Sequence, residues 1–325
     1  VSGNGYIGSV FGSTGGQGSN SVEITGNASL WKVRGRSAFP KEGILFVGSS
    51  SPGNSLTIKD NGEVLADKAV YVGRDDLNFY SGSGNRVSVL EGELRTVIFS
   101  IGGNLGSSNS LIVAGGSVFA TNVMIGFSSS TCDNWIQLDD GSLTVTNASH
   151  DAVLEVRNGK FIMNGSTLRV DRFVMTNACA HFVRTGGTLI YGTAVLDPNA
   201  SAIGDGIPNG WKQQYGLDPF DPNVASTDSD GDGFSNLQEY LAGTDPTNSA
   251  AAFRILSILR TNNAVQATWQ TGTGKTNALQ RIGNLSGSFA DIFIVTNTTG
   301  SVTNFLDVGG ATNPPPQFYR VRLVP

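Results

Sequence analysis

The chain has 325 residues, enough for two or three domains, and 39% of them are hydrophobic, enough to build packed cores. Only 14% are charged, 21 basic against 26 acidic, and no basic cluster exceeds KVRGR at 32–36, so the electrostatic footprint of a nucleic-acid-binding protein is missing. No apolar run approaches the roughly 20 residues needed to span a bilayer, and AAAFRILSIL at 251–260 is interrupted by Arg254. The 43 glycines, with plentiful Ser, Thr and Asn, suit short strands and tight turns and point to an all-β protein. Val1 opens without a charged, apolar leader, which fits a mature chain whose signal peptide, if it is exported, has been removed.

A repeated pattern comes first along the chain. One unit ends apolar-x-[IV]-G or its like, closing on Gly8, Gly48, Gly73, Gly102 and Gly126. A second starts with Asn and then alternates apolar with polar: NSVEI from Asn20, NSLTI from Asn54, NRVSV from Asn85, NSLIV from Asn109 and NWIQL from Asn134. A third is Gly, a small or charged residue, then an apolar one, as in Gly62-Glu63-Val64 and Gly92-Glu93-Leu94. Period-two alternation places Val70, Val72, Leu56, Ile58, Val87 and Val89 on an inward face. One such turn of chain cannot bury its apolar stripe, but turns stacked about 4.8 Å apart can. The five asparagines would then stack at one corner, their amides bonding to the turns above and below.

The pattern weakens after Gly126 but strand-like runs continue to about residue 196, so residues 1–196 are expected to form one parallel β-helix. It resembles the Gly/Asn-rich β-helix repeats of secreted bacterial surface proteins, the autotransporter-like passenger type, which implies a right-handed, three-faced solenoid. Cys132 and Cys179 are the only cysteines. If two stacked turns separate them they lie about 9–10 Å apart, beyond bridging reach, and two buried free thiols are expected over a disulfide.

Composition changes at 197, where DPNASAIGDGIPNG marks a boundary. Two segments beyond it align without gaps, GIPNGWKQQYGLDP at 206–219 and GFSNLQEYLAGTDP at 233–246, each reading as an Asp-Gly turn, a short helix, a Gly stop and Asp-Pro. Before the second helix stands DSDGDGFSNLQE, in which Asp228, Asp230 and Asp232 hold positions 1, 3 and 5 of a calcium loop. Phe234 offers its carbonyl, Asn236 stands at position 9 and Glu239 at position 12 can ligate with both oxygens. Carboxylates converging this closely repel unless a hard divalent cation sits among them, so Ca2+ is the expected cofactor. In the first copy Ser201, Ile203 and Lys212 replace Asp228, Asp230 and Glu239; Asp205 and Asn209 persist, and with Asp218 and Asp221 they make a weaker second candidate site. The pair resembles thrombospondin type 3 repeats and dockerin-type calcium loops.

Residues 251–325 carry six strand-like runs separated by Gly, Asn and Pro turns, an expected antiparallel sandwich with Trp269, Phe289, Phe305 and Tyr319 as its large core residues. The closing FYRVRLVP resembles the fibronectin-like C-terminal domains that follow calcium repeats in secreted bacterial proteins. GTGKT at 272–276 lacks the spacing of a phosphate loop and reads as a hairpin turn. The expected fold class is therefore all-β: a right-handed parallel β-helix over 1–196, a small helical calcium-binding module over 197–250 and an antiparallel β-sandwich over 251–325.

Carboxylate pairs that a glycosidase or lyase would need are Asp75 with Asp76, Glu91 with Glu93, Asp139 with Asp140 and Asp151 with Glu155. Glu91 and Glu93 flank a turn glycine and Asp139-Asp140-Gly is itself a turn signal, so both pairs read as solvated corners; neither His150 nor His181 stands in a nucleophile setting, and no enzyme is expected. The expected role is an extracellular, cell-surface structural subunit, rigidified by calcium and self-associating head-to-tail into a homo-oligomer, filament or matrix. The alternative is an adhesin with a glycan or cell-surface partner, and a polysaccharide lyase or hydrolase ranks behind both. Neither nucleic acid nor a membrane span is expected.

Overall fold

The structure is a computed structural model describing residues 3–8, 19–35, 42–74, 82–103, 106–127, 132–296, 301–312 and 316–324. The chain divides into two compact units: Val1–Gly204 with Pro208–Gly210 and Pro219–Pro222, and Asp205–Ile207 with Trp211–Asp218 and Asn223–Pro325. The fold is mostly β, with extensive parallel sheets and two short helices among the described residues.

The first unit contains β1 (Gly5–Ile7), β2 (Ser21–Thr25), β3 (Leu30–Val33), β4 (Ile44–Val47), β5 (Ser55–Lys59), β6 (Glu63–Val72), β7 (Arg86–Leu90), β8 (Glu93–Ile101) and β9 (Ser110–Ala114). It continues with β10 (Ser117–Ala120), β11 (Asn122–Ile125), β12 (Asn134–Asp139), β13 (Ser142–Val145), β14 (Val153–Val156), β15 (Gly159–Asn164), β16 (Thr167–Met175), β17 (Ala180–Arg184) and β18 (Thr188–Leu196). The chain visits three parallel ladders in a fixed order. One is β2-β5-β7-β9-β12-β15-β17, a seven-stranded sheet. The other two share an eleven-stranded sheet, because β6, β8, β16 and β18 are each long enough to serve both. Register is kept where the sequence repeat fades: Ser142 pairs with Thr167, which pairs with Thr188.

Val70, Val72, Leu56, Ile58, Val87 and Val89 are fully buried, as their alternation predicts, and they join one apolar core running the length of the unit. At its far end Phe220 is fully buried against Phe173, Phe182 and Tyr191, with ring centroids 5.0–5.4 Å away. At the other end Val22, Ile24 and Trp31 are only partly buried.

The corner asparagines form a continuous amide ladder. Asn20 donates its backbone N–H and its Nδ2 to Asn54 Oδ1 at 3.1 and 2.9 Å. Asn54 repeats this to Asn85 at 2.8 and 3.0 Å, Asn85 to Asn109 at 3.0 and 3.0 Å, and Asn109 to Asn134 at 3.1 and 3.2 Å. The four acceptors are fully buried, and each satisfies two donors that would otherwise be costly to leave unpaired. The repeat glycines exist for this ladder. A Cβ on Gly8, Gly48, Gly73 or Gly102 would lie 2.0–2.5 Å from the amide of Asn54, Asn85, Asn109 or Asn134, and each of these glycines has a positive φ.

The expectation of two free thiols is overturned: Cys132 and Cys179 form a disulfide with Cα atoms 5.6 Å apart. They do precede strands two turns apart, since Asn134 registers with Gly159 and Gly159 with Ala180. The turn between them has a short corner, only Arg157 and Asn158 separating Val156 from Gly159, whereas the connection bearing Cys179 spans 176–179. Both cysteines lie outside the strands, so strand spacing alone does not set their separation.

After the ladders come α1 (Asn209–Gln214) and α2 (Asn236–Ala242), then β19 (Ile255–Thr261), β20 (Ala264–Gln270), β21 (Thr276–Ile282), β22 (Ala290–Val295), β23 (Val302–Val308) and β24 (Phe318–Val324). These six strands, the six expected runs, form two antiparallel three-stranded sheets, β19-β20-β23 and β22-β21-β24. Trp269 is fully buried between Leu279, Phe293 and Phe305, and its indole N–H donates to Asn277 Oδ1 at 2.7 Å. Two expectations are corrected. Phe289 precedes β22 and lies under the Arg320 guanidinium, 4.2 Å from its ring centroid, and Phe293 takes the core place instead. GTGK joins β20 to β21, which belong to different sheets, so it is a crossover and not a hairpin.

Asn109→Ala strips the acceptor from two Asn85 donors, and unpaired buried donors cost about 1–3 kcal/mol each. Gly73→Ala forces a Cβ into the same amide. Both variants are expected to lower the urea midpoint strongly, and Asn61→Ala, at an exposed side-chain bond to Asn27, by far less. Equilibrium unfolding of the three variants checks this.

Candidate metal-binding loop

Residues 228–239 lie wholly in the second unit. Their turn is held by the acidic side chains themselves. Asp228 Oδ1 accepts from Gly231 N at 2.8 Å and Asp232 N at 3.2 Å, while its Oδ2 accepts from Gly233 N at 2.8 Å. Asp230 Oδ1 accepts from Asp232 N, and Asp232 Oδ1 from Phe234 N. Such Asp-to-backbone bonds two to five residues ahead replace the ladder bonds a loop cannot make. They also wrap the loop so that oxygens of Asp228, Asp230 and Asp232 come within 4.8 Å of one another.

The helix that follows fixes the remaining donors. Ser235 caps α2 and forms a capping box with Gln238. Asn236, fully buried, donates Nδ2 to Val224 O at 2.8 Å, which orients its Oδ1. Glu239 is 1% exposed, and Thr244 Oγ1 donates to its Oε1 at 3.3 Å. Gly243 ends the helix in the left-handed region at φ 72° and lies against the Lys275 side chain and Gly272. A Cβ on Gly272 would be 1.9 Å from Ala242 O, so this glycine is what lets the helix end seat on the β20–β21 connection.

Each loop half thus uses one set of oxygens and leaves another. Asp230 Oδ2, Asp232 Oδ2, Asn236 Oδ1 and Glu239 Oε2 are buried without a hydrogen-bond partner. They occupy positions 3, 5, 9 and 12 of the sequence-predicted loop, and Asp228 at position 1 stands beside them. Four buried acceptors with no donor are costly alone and are the natural coordination set of a hard cation. The electrostatics agree. Burial first, then the Asp230 and Asp232 charges, push the Glu239 carboxyl up to about 7. Asp230 is raised by burial and by its acidic neighbours, whereas the backbone N–H bonds, led by Gly233, hold Asp228 below the usual range.

The first copy is brought together differently. Lys212 is fully buried and its Nζ lies 2.8 Å from both oxygens of Asp205. Asn209 is buried too, donating to Asp197 O and accepting from Ala202 N. Asp218 and Asp221 are more exposed. Sequence alignment found the substitution of Lys212 for Glu239, but charge bookkeeping along the sequence gave no sign that the ammonium would be buried.

Of the carboxylates named from sequence, Glu93 opens β8, Asp139 closes β12 and Glu155 lies within β14, each engaged in local bonds. Asp139 accepts from Gln137 and Asn164, Asp151 from Asn147, while Glu93 pairs with Arg95 and Glu155 with Arg157. His150 is exposed, and Asp75 and Asp76 lie outside the described residues. Among the described residues no helix is long and apolar enough to cross a membrane. The chain matches no protein-family profile, no curated protein and no solved structure.

The raised Glu239 predicts a pH dependence with a definite sign. Its folded pKa lies above the unfolded value, so between about pH 4.5 and 7 the folded chain keeps a proton that the unfolded chain releases. Without divalent cations, thermal stability is therefore expected to fall as pH rises through this window. Glu239→Gln should flatten the slope, as measured by melting in a metal chelator at pH 5, 6, 7 and 8.

Proposed function

We propose that this chain is an extracellular structural protein whose loop at 228–239 binds calcium, with Asp228, Asp230, Asp232, Asn236, Glu239 and the Phe234 carbonyl as ligands. The observation that carries the reading is the set of four unpartnered buried oxygens at loop positions 3, 5, 9 and 12. A calcium ion takes six to eight oxygen ligands and neutralises the charge that raises Glu239. The ion holds the turn before α2 and, through Glu239 and Gly243, the seat of that helix on the antiparallel strands.

The parallel ladders wind as a right-handed β-helix, a reading supported by the fixed order in which the chain returns to them and by the handedness rule for parallel crossovers. The disulfide fits an oxidising, extracellular compartment. Self-association is read from the partly buried apolar residues Val22, Ile24 and Trp31 of β2 and β3. Stacked parallel ladders stitched by buried asparagines suit a filament or matrix component better than an enzyme.

A second reading, a glycan-binding surface, is favoured by Tyr6, which is 44% exposed and stacked on Phe46 at 4.9 Å with rings 5° from parallel. Sugar faces stack on such platforms, and glycan-array binding lost in Tyr6→Ala would support it.

Equilibrium dialysis is expected to find one calcium per chain, with affinity reduced at least about tenfold in Asp230→Ala and Glu239→Ala. Sedimentation at high concentration with calcium should show association. A monodisperse monomer would overturn the assembly role, and absent calcium binding would overturn the loop assignment.

A further inference from the structure

The two loop copies share four hydrogen bonds at corresponding positions. Ile207 N donates to Asp205 Oδ1 as Phe234 N does to Asp232 Oδ1. Asn209 Nδ2 donates to Asp197 O as Asn236 Nδ2 does to Val224 O. Asn209 N reaches Ala200 O as Asn236 N reaches Thr227 O, and Leu217 N reaches Lys212 O as Thr244 N reaches Glu239 O. Every pair is offset by the same 27 positions as the aligned segments. Position 12 is buried in both copies, Lys212 at 0% and Glu239 at 1% exposure. In one copy position 12 contributes a negative charge beside the position-5 aspartate; in the other it contributes a positive one, 2.8 Å from both carboxylate oxygens.

We propose that the Lys212 ammonium is a permanent internal cation that does in the first loop what calcium does in the second. An ammonium offers one charge and three donors, which suits one carboxylate, and position 3 has accordingly become Ile203, packed against the apolar core. Position 9 changes with it: Asn209 Oδ1 accepts from Ala202 N at 2.9 Å, whereas Asn236 Oδ1 has no donor. The first repeat is therefore fixed at every calcium concentration, and only the second responds to the ion. The part concerning the second repeat rests on the calcium reading above.

Amide hydrogen exchange of the full chain tests this, comparing residues 209–217 with 236–244. On chelation the wild-type chain is expected to exchange at least about tenfold faster at 236–244 while 209–217 is unchanged. Lys212→Met should speed exchange at 209–217 by a similar factor with and without calcium and leave the calcium stoichiometry at one. Equal loss of protection in both segments on chelation would overturn the proposal, as would full protection of 209–217 in Lys212→Met. The chelation arm needs no variant, so it decides even if Lys212→Met fails to fold. If 236–244 ignores chelation while Lys212→Met loosens 209–217, the calcium reading fails and the lysine's role stands.

Discussion

A buried polar group must find a partner, and this constraint organises the molecule from one end to the other. In the first unit it is met by repetition. Each corner asparagine gives two hydrogens to the next one's carbonyl oxygen, so the acceptor demanded by one turn of chain is supplied by its neighbour. The geometry leaves no room for a side chain on the facing residue, which is why a left-handed glycine recurs opposite each amide. Strand register follows, because shifting one turn by a single residue would break the amide contact and turn the apolar stripe outward together.

The same constraint is met in a second way around residues 197–250. There the polar groups are carboxylates, which repel one another when ionised, so a nearby positive charge or a retained proton stabilises them. One loop carries that charge in its own sequence as Lys212, bonded to Asp205. The other leaves four oxygens without donors and a Glu239 carboxyl raised to about 7. The copies share a bonding pattern and differ in what faces the buried carboxylates, a lysine of the chain in one and no donor in the other.

The antiparallel strands use the constraint in its ordinary form. Trp269 buries its indole with its N–H on Asn277. Asp307, 8% exposed, accepts two bonds from Arg281 and one from the Tyr319 hydroxyl; burial and then the Asp307 carboxylate raise that phenol to about 12, against the opposing pull of Arg281. The Trp269 indole and the Asp307 carboxylate thus both find side-chain partners within the two sheets.

Much of this was legible in the sequence because it depends on period and identity. Alternation placed Leu56, Val70 and Val89 inside, recurrence placed the asparagines at one corner, and spacing placed Asp228 through Glu239 around one turn. What escaped depends on distances between segments remote in the chain. The Cys132–Cys179 bridge hinges on the short corner at Arg157 and Asn158, the choice of Phe293 over Phe289 on where β22 begins, and the crossover at 272–275 on which sheet each strand joins. Lys212 makes the point most sharply. Sequence determined that a lysine replaced a glutamate in the first loop; only the tertiary structure decided that its ammonium is buried on Asp205, because burial is set by what packs around a residue and not by the residue itself.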